Sequence, residues 1–351
     1  MMKDAYAAAG VDIEAANEAV ARYRRLLSRR ADPRVLEGIG AFGGCFQFEG
    51  FKHPVLVAST DGVGTKVLVA AALGRYDTIG RDLVNHCIND ILCAGAQPLF
   101  FLDYFAVSKL NVEMSSAVVS GIAAACAEFE LALLGGETAE MPGVYADGAF
   151  DVAGTIVGAV ERAELVDGAD VVAGDAIVGL PANGFHTNGY SLVRATLPPE
   201  RWAEKPADSA ETIGDALLAV HPCYLPYVRA IQQAGIRLKA MAHITGGGLI
   251  HNLPRALPDG LAARLDRASM RPPLIMLQVV REARLGDETA YSTFNMGVGF
   301  CAIVARRDAG SAVEAANAAL SAKPIPSAAA PMAAVVGEVE PSHPSGPRVI
   351  I

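Results

Sequence analysis

Three stretches set an acid where a ligand could reach it. In STDGVGTK (59–66) an apolar run ends at Asp61, with Gly62, Gly64, Thr65 and Lys66 directly behind it. In GGETAEMPG (135–143) two glycines precede Glu137, with Glu140 close by. In RDLVNHCINDILCAG (81–95) Asp90 falls on the polar side of a helical pattern, and Asp82 and His86 precede it at four-residue steps, so the three share a face. An acid at the end of an apolar strand stands at a sheet edge, where α/β proteins place ligands. Glycines beside it let a ligand approach closely. Hard carboxylate oxygens hold Mg²⁺, and Mg²⁺ holds nucleotide phosphates. The chain carries a net charge of −9, so a polyphosphate among its own acids needs a metal. The expected metal set is Asp61, Asp90 and Glu137, with Thr65 and Lys66 suited to phosphate oxygens. A glycosidase-like acid pair would call for sugar-stacking aromatics near the acids, yet the single Trp, Trp202, is remote in sequence.

Two other glycine motifs need sorting. GIGAFG (38–43) fits G-x-G-x-x-G, with Asp61 about twenty residues on. A dinucleotide fingerprint follows a buried strand and opens a helix, whereas this one follows RRADPRVLEG and precedes GCFQFEGFKHP. It reads instead as a glycine loop whose Gly38, Gly40, Gly43 and Gly44 could wrap phosphates, or as a plain surface loop. STDGVGTK is not a P-loop, which needs G-x-x-x-x-G-K-[ST]. In the second half, NGFHTNGYSLVR (183–194) and HITGGGLIHNLPRAL (243–257) place His186, Thr187, Asn188, and Thr245, Gly246, Gly247, Gly248, at turns opening helices. Each is either an anion site or an ordinary capped helix.

The elements that must position these residues follow from periodicity. Helical spacing covers 12–30, 81–95 and 114–129, and strands are expected at 55–59, 99–107, 131–134 and 152–160. Arg22, Arg25 and Arg29 form a basic helix face, read as solvated or as the rim of an anion site. The acidic, turn-rich stretch 161–175 marks a boundary, giving domains 1–168 and 169–351. Beyond it come strand 176–180, helices 188–196, 211–233 and 249–257, and strands 297–304 and 333–338; 271–274 is a loop, and 313–335 is a small helix with a connector. The fold class is α/β (α+β), with mixed sheets and flanking helices in two domains. The strand FFLDYFAV is apolar on both faces, so the N-terminal domain is expected to form a dimer through its sheet.

Composition removes several classes. Hydrophobic residues make up 52% and charged residues 19%, enough for a sizeable core. The negative balance argues against nucleic acid and membrane surfaces as partners. The six Cys are scattered without a C-x-x-C pair and read as reduced, buried thiols; with no signal peptide and no membrane-length apolar run, the chain is expected in the cytoplasm.

Together, STDGVGTK, CINDILCAGAQPLFFLDY, LLGGETAEMPG, HTNGYSLVR, HITGGG and TFNMGVG resemble, in family order, phosphoribosylformylglycinamidine cyclo-ligase, also called aminoimidazole ribonucleotide synthetase. The resemblance runs from about residue 4 to the C-terminus, loosely over 196–212 and 306–335. It implies ATP and Mg²⁺, a homodimer, and ATP-dependent cyclisation of formylglycinamidine ribonucleotide to 5-aminoimidazole ribonucleotide in purine biosynthesis. It departs from the family at Thr187, where Ser is expected, a change that keeps the hydroxyl. On this reading Asp61, Asp90, Lys66 and His186 are catalytic: Asp61, Asp90 and Glu137 hold the metal, and Lys66 neutralises the transferred phosphoryl group. The ribose phosphate falls to the 186–188 turn or the 245–248 turn. The alternatives are another synthetase or kinase of the superfamily, such as one like thiamine monophosphate kinase, and a non-catalytic nucleotide-binding dimer.

Overall fold

The computed structural model describes residues 13–28, 32–38, 41–206, 209–326 and 332–351. The chain divides into two units, the first ending at Ala163 and the second beginning at Glu164, with the short turn Leu92–Gly95 packed into the second.

In the first unit, helix α1 (Ile13–Ser28) precedes a two-stranded ribbon of β1 (Val35–Glu37) and β2 (Cys45–Phe46). Then come β3 (Pro54–Gly62), α2 (Lys66–Leu73), α3 (Asp77–Leu92), β4 (Gln97–Val107), α4 (Val112–Glu128), β5 (Ala132–Glu140) and β6 (Phe150–Glu161). The last four strands form one sheet in the order β3-β6-β4-β5. β6 runs antiparallel to both β3 and β4, and β4 runs parallel to β5, so β3, β4 and β5 all end at the same edge. Alternation sorts the side chains between the two faces. Phe101 and Phe105 are buried, whereas Leu56 is 63% and Tyr104 41% exposed. One face therefore carries the core and the other is open with apolar side chains on it. Helices α3 and α4 cross with backbones touching: a Cβ on Gly80 would overlap Val118 O, and one on Gly121 would press on Asp77 O. Of the expected basic face, Arg22 of α1 lies between Glu18 and Glu113 and Arg25 is exposed, while Arg29 lies outside the described residues.

The second unit holds β7 (Ala176–Pro181), α5 (Tyr190–Thr196), α6 (Ile213–Leu217), α7 (Leu225–Gln233), β8 (Ala240–His243), α8 (Gly248–Asn252), β9 (Leu261–Leu265), α9 (Leu274–Glu282), α10 (Asp287–Thr293), β10 (Val298–Val304), α11 (Ala309–Ala322), β11 (Ala334–Pro341) and β12 (Val349–Ile350). Its six strands follow the order β12-β9-β11-β7-β10-β8. The central strands β7 and β10 are buried along their whole length, which is why they read as unbroken apolar runs.

Several expected elements change. The helix expected over 211–233 is two helices, α6 and α7, separated by a segment holding Pro222. The one expected over 249–257 ends at Asn252 and continues as a 3₁₀ turn through Pro254. Strands β8 and β9 and helices α9 and α10 were not among the expected elements. β5 runs six residues beyond the expected 134, so Glu137 stands inside a strand rather than in a loop. Among the cysteines, Cys45 is exposed; Cys87, Cys126, Cys223 and Cys301 are buried.

Candidate active site

Asp61 is the penultimate residue of β3. Ser59 and Asp61 share the half-buried face of that strand, and Ser59 Oγ donates to Asp90 Oδ2 on α3 at 2.9 Å. Asp61 Oδ1 accepts from the Gly62 N–H at 2.7 Å, and Asp61 Oδ2 lies 2.6 Å from His86 Nε2. The same imidazole nitrogen is 3.9 Å from Asp90 Oδ2. The four-residue step from His86 to Asp90 thus brings two acids from different elements around one buried ring. Burial works to raise the Asp61 pKa, but the His86 contact and the Gly62 N–H outweigh it, and the net shift is downward. Burial works to lower the His86 pKa, and Asp61, Asp90 and Asp82 outweigh it, so the imidazole is held above its ordinary value. The Asp61 and Asp90 side chains keep 44% and 27% of their exposure, so both carboxylates can still be reached from solvent. Two accessible carboxylates, one on β3 and one on α3, both near the His86 ring, offer the hard oxygen donors that Mg²⁺ prefers.

Glu137 is placed differently. It pairs in register with Tyr104, an exposed residue of β4, whereas Asp61 lies in the row Asp61–Gly154–Asp103–Gly136 across the sheet. Adjacent rows point to opposite faces, so Glu137 stands on the open face of the sheet and Asp61 on the core face. Within one chain the structure brings Asp61 and Asp90 together and leaves Glu137 apart. Gly136, directly before Glu137, also has a different reason from the expected one. A Cβ on Gly136 would overlap Asp103 Oδ1, so the close approach there is by the neighbouring strand and not by a ligand.

Lys66 departs most from expectation. It opens α2 but is fully buried, with Nζ 2.8 Å from Asp82 Oδ2, itself fully buried. Burial lowers the Lys66 pKa, Asp82 raises it, and the net shift is downward. The residue therefore ties α2 to α3 instead of presenting its charge at the surface. Gly64 has a positive φ of 65° and, with Thr65, forms the turn into α2, leaving helix N-terminal amides beside Asp61. Of the glycine loop, Gly44 packs so tightly on Leu134 that a Cβ would lie on its side chain, Gly38 lies near Val35, and Gly43 is open. Phe42 at the loop tip is fully exposed. Gly40 lies outside the described residues.

In the second unit, four separated segments converge. His186, at φ 60°, and Thr187 are buried in the turn before α5. A Cβ on Gly299 would overlap Tyr224 Oη and crowd His186 Cε1, which explains a glycine inside the buried strand β10. Asn295 Nδ2 donates to Gly184 O, and its Oδ1 accepts from Gly297 N–H, fastening TFNMGVG to the 183–188 turn. Asn252 Nδ2 donates to Gly246 O and Gly248 O and so holds the TGGG turn. A Cβ on Gly246 would lie 3.4 Å from Asn188 Oδ1, so the 186–188 and 245–248 turns adjoin and need not be alternatives. The helices they open have only seven and five residues, so their dipoles are small and the turns themselves are the main source of amide donors. The sequence reading missed His221 and His243. His186 and His221 stack at 4.2 Å between ring centroids, and His243 Nε2 is 3.0 Å from His221 Nε2.

Residues 46–160 match the AIR synthase related protein N-terminal domain and residues 172–349 the corresponding C-terminal domain. These two matches define the class: a two-domain AIR synthase-like α/β protein. Among curated proteins, the chain is 47% identical over 319 residues to a phosphoribosylformylglycinamidine cyclo-ligase of Sorangium cellulosum, covering 90% of this chain and 92% of that one. It belongs to the phosphoribosylformylglycinamidine cyclo-ligase family. Among solved structures, a thiamine-monophosphate kinase from Stenotrophomonas maltophilia matches at TM-score 0.63 and 18% identity over 95% of both chains. The hydrogenase maturation protein HypE in complex with ATP matches at 0.61 and 17% over 92% of this chain and 86% of that one. At such identities these structures share the fold.

Proposed function

We infer that this chain closes the imidazole ring of formylglycinamidine ribonucleotide, forming a C–N bond as a ligase of purine biosynthesis. The family match across both domains carries this reading. ATP is the proposed co-substrate. The formyl oxygen is a poor leaving group, and transfer of the γ-phosphoryl group to it makes phosphate the leaving group. The amidine nitrogen then attacks the formyl carbon, and holding the two in near-attack geometry is worth up to ~7–11 kcal/mol in well-oriented intramolecular cases.

Asp61 and Asp90 would hold Mg²⁺, which when bound draws the phosphates to this edge of the sheet and neutralises their charge. The amides around Gly62, Gly64 and Thr65, with the glycine loop at Gly38, Gly43 and Gly44, are assigned to ATP phosphates. Lys66 acts through Asp82 by fixing α2 against α3 and so setting the 62–65 turn. The adjoining turns of His186, Thr187, Asn188 and of Thr245, Gly246, Gly247, Gly248 are assigned together to the substrate's ribose phosphate. Glu137, on the open face, belongs to the region proposed as the homodimer contact, which the exposed Leu56 and Tyr104 support. Light scattering should give twice the chain mass at micromolar concentration. No helix among the described residues is long and apolar enough to cross a membrane, and a cytoplasmic location is proposed.

The test offers formylglycinamidine ribonucleotide with heavy oxygen in its formyl group, alongside thiamine monophosphate and selenide, and follows ADP and phosphate release. Turnover with the first alone, and label in the released phosphate, is the expected result. Turnover with thiamine monophosphate instead would move the chain to the kinase reading, and label in water would overturn the activation route.

A further inference from the structure

Ser59 interrupts a pattern. On the half-buried side of β3 the alternate residues run Val55, Val57, Ser59, Asp61. In register, Ser59 heads a row whose next members are Ile156 and Phe101, both fully buried. A β-branched apolar residue would suit such a row better than a hydroxyl. What the hydroxyl meets is α3. Cys87 Sγ donates to Gly154 O of β6 at 3.7 Å, and a Cβ on Gly158 of the same strand would press on Ile91 Cδ1, so Cys87 and Ile91 seat the helix on β6. His86 and Asp90 precede those two residues by one position on successive turns and fall over β3, where they meet Asp61 and Ser59. Four residues of helix rise ~6 Å and two residues of strand ~6.8 Å. The spacings match closely enough for two rungs side by side, His86 with Asp61 and Asp90 with Ser59, with the helix antiparallel to the strand. Serine has one hydroxyl proton to give, and here it goes to Asp90 Oδ2. A carboxylate oxygen has two lone pairs, so accepting this bond is compatible with ligating a metal.

We propose that Ser59 is a positioning residue for the metal: its hydroxyl turns the Asp90 carboxylate toward β3, so that Asp90 and Asp61 offer oxygens to one ion. This rests on the reading that Asp61 and Asp90 hold the Mg²⁺ of a cyclo-ligase. Asp61 is fixed at both oxygens, by the Gly62 N–H and by His86. Asp90 stands on a different element, and its Oδ2 is 3.9 Å from His86 Nε2, beyond hydrogen-bond reach. The 2.9 Å bond from Ser59 is therefore what ties this carboxylate to the strand that carries its partner acid. A carboxylate held in place by a hydrogen bond loses less rotational freedom when it takes a metal, and removing such an outer partner typically costs 10–100-fold in metal affinity. Ser59 acts through Asp90 and makes no contact of its own with the reacting atoms.

Mn²⁺ binding to the full-length protein, followed by electron paramagnetic resonance with a non-hydrolysable ATP analogue present, tests this without turnover. Ser59→Ala should weaken Mn²⁺ binding about tenfold or more, whereas Ser59→Thr, which keeps the hydroxyl, should stay within about threefold of wild type. In an Asp90→Ala background the Ser59→Ala change should matter less than about twofold, because the carboxylate it acts on is gone. In turnover, Ser59→Ala should raise the Mg²⁺ concentration for half-maximal rate by about the same tenfold and recover most of kcat at saturating Mg²⁺. Mn²⁺ affinity of Ser59→Ala within about twofold of wild type, Ser59→Thr as weak as Ser59→Ala, or an equal loss with and without Asp90 would overturn the positioning role. The absence of a Mn²⁺ site in the wild type would overturn the metal reading and the proposal with it. The expected Mn²⁺ pattern with no product from formylglycinamidine ribonucleotide would leave the positioning role standing and overturn the cyclo-ligase reading alone.

Discussion

The two units hold buried polar groups in opposite ways. In the first, opposite charges meet: Lys66 with Asp82, and His86 between Asp61 and Asp90. In the second, His186, His221 and His243 are held by stacked rings and a shared hydrogen-bonding gap, while Asn252 and Asn295 fasten the backbone turns beside them. Charge pairing acts over several ångströms and tolerates small shifts, whereas a ring-on-ring arrangement tolerates none and so depends on glycines such as Gly299. The first design suits a site that must admit a highly charged ligand. The second suits one whose turns must be held in fixed positions.

The contrast breaks first at Lys66. Lys66→Met leaves Asp82 buried without its cation, and the expected cost is about 3–5 kcal/mol in urea denaturation. Lys66→Met combined with Asp82→Leu should recover most of that, because apolar side chains replace a buried ion pair at little net cost. A single-variant loss under ~1 kcal/mol would mean that the pair does not hold α2 to α3. Next in size is Asp61→Asn, nearly isosteric but without the metal-binding charge. Turnover should fall roughly 100-fold or more, equivalent to ~3 kcal/mol, with the fold kept. Near-full activity at saturating Mg²⁺ would remove the metal role.

The same contrast explains what could be read in the sequence. Asp61 and Asp90 were legible because each sits on one strongly periodic element, and a four-residue step already links His86 to Asp90. Lys66 was misplaced because a cation behind glycines looks the same in sequence whether its partner is a phosphate or Asp82 one helix away. Glu137 was misplaced because β5 continues through two glycines, of which Gly136 makes room for Asp103, and strand alternation then puts the acid on the other face. His221 and His243 were passed over because they sit in a non-periodic segment and at the end of a four-residue strand, and only the fold brings them into line. Of the elements, those of the first unit were the more legible, since short pieces such as β8 and β9 carry too few residues for a period.

A smaller effect sharpens the picture of the first unit. Asp103 lies on the core face of β4, and burial pushes its carboxyl up to about 7. The folded state then binds more protons than the unfolded chain between pH ~3.9 and about 7, so this group makes stability fall as pH rises through that window. Asp103→Asn, which mimics the protonated acid, should stabilise the protein by about 2 kcal/mol at pH 8 and change little at pH 4. A variant destabilised equally at both would show that the carboxyl is charged in the fold.

The smallest effect concerns His86 and Asp61 in protein stripped of divalent cations. Asp61 is shifted down, so its contribution is present above the unfolded value of ~3.9 and lost as pH falls through the lower folded one. His86 is shifted up, so its contribution is full below ~6.5 and lost as pH rises through the higher folded value. Their pairing should therefore stabilise most between about pH 4 and 6.5. Asp61 is nearly half exposed, and solvent screening keeps the expected contribution under about 1 kcal/mol. His86→Met compared with wild type by urea denaturation across pH 4–9 should show the largest difference in the acid window and a shrinking one above it. A difference that stays constant to pH 9 would mean that His86 is held by packing alone, and the first unit would then resemble the second in how it keeps its histidine.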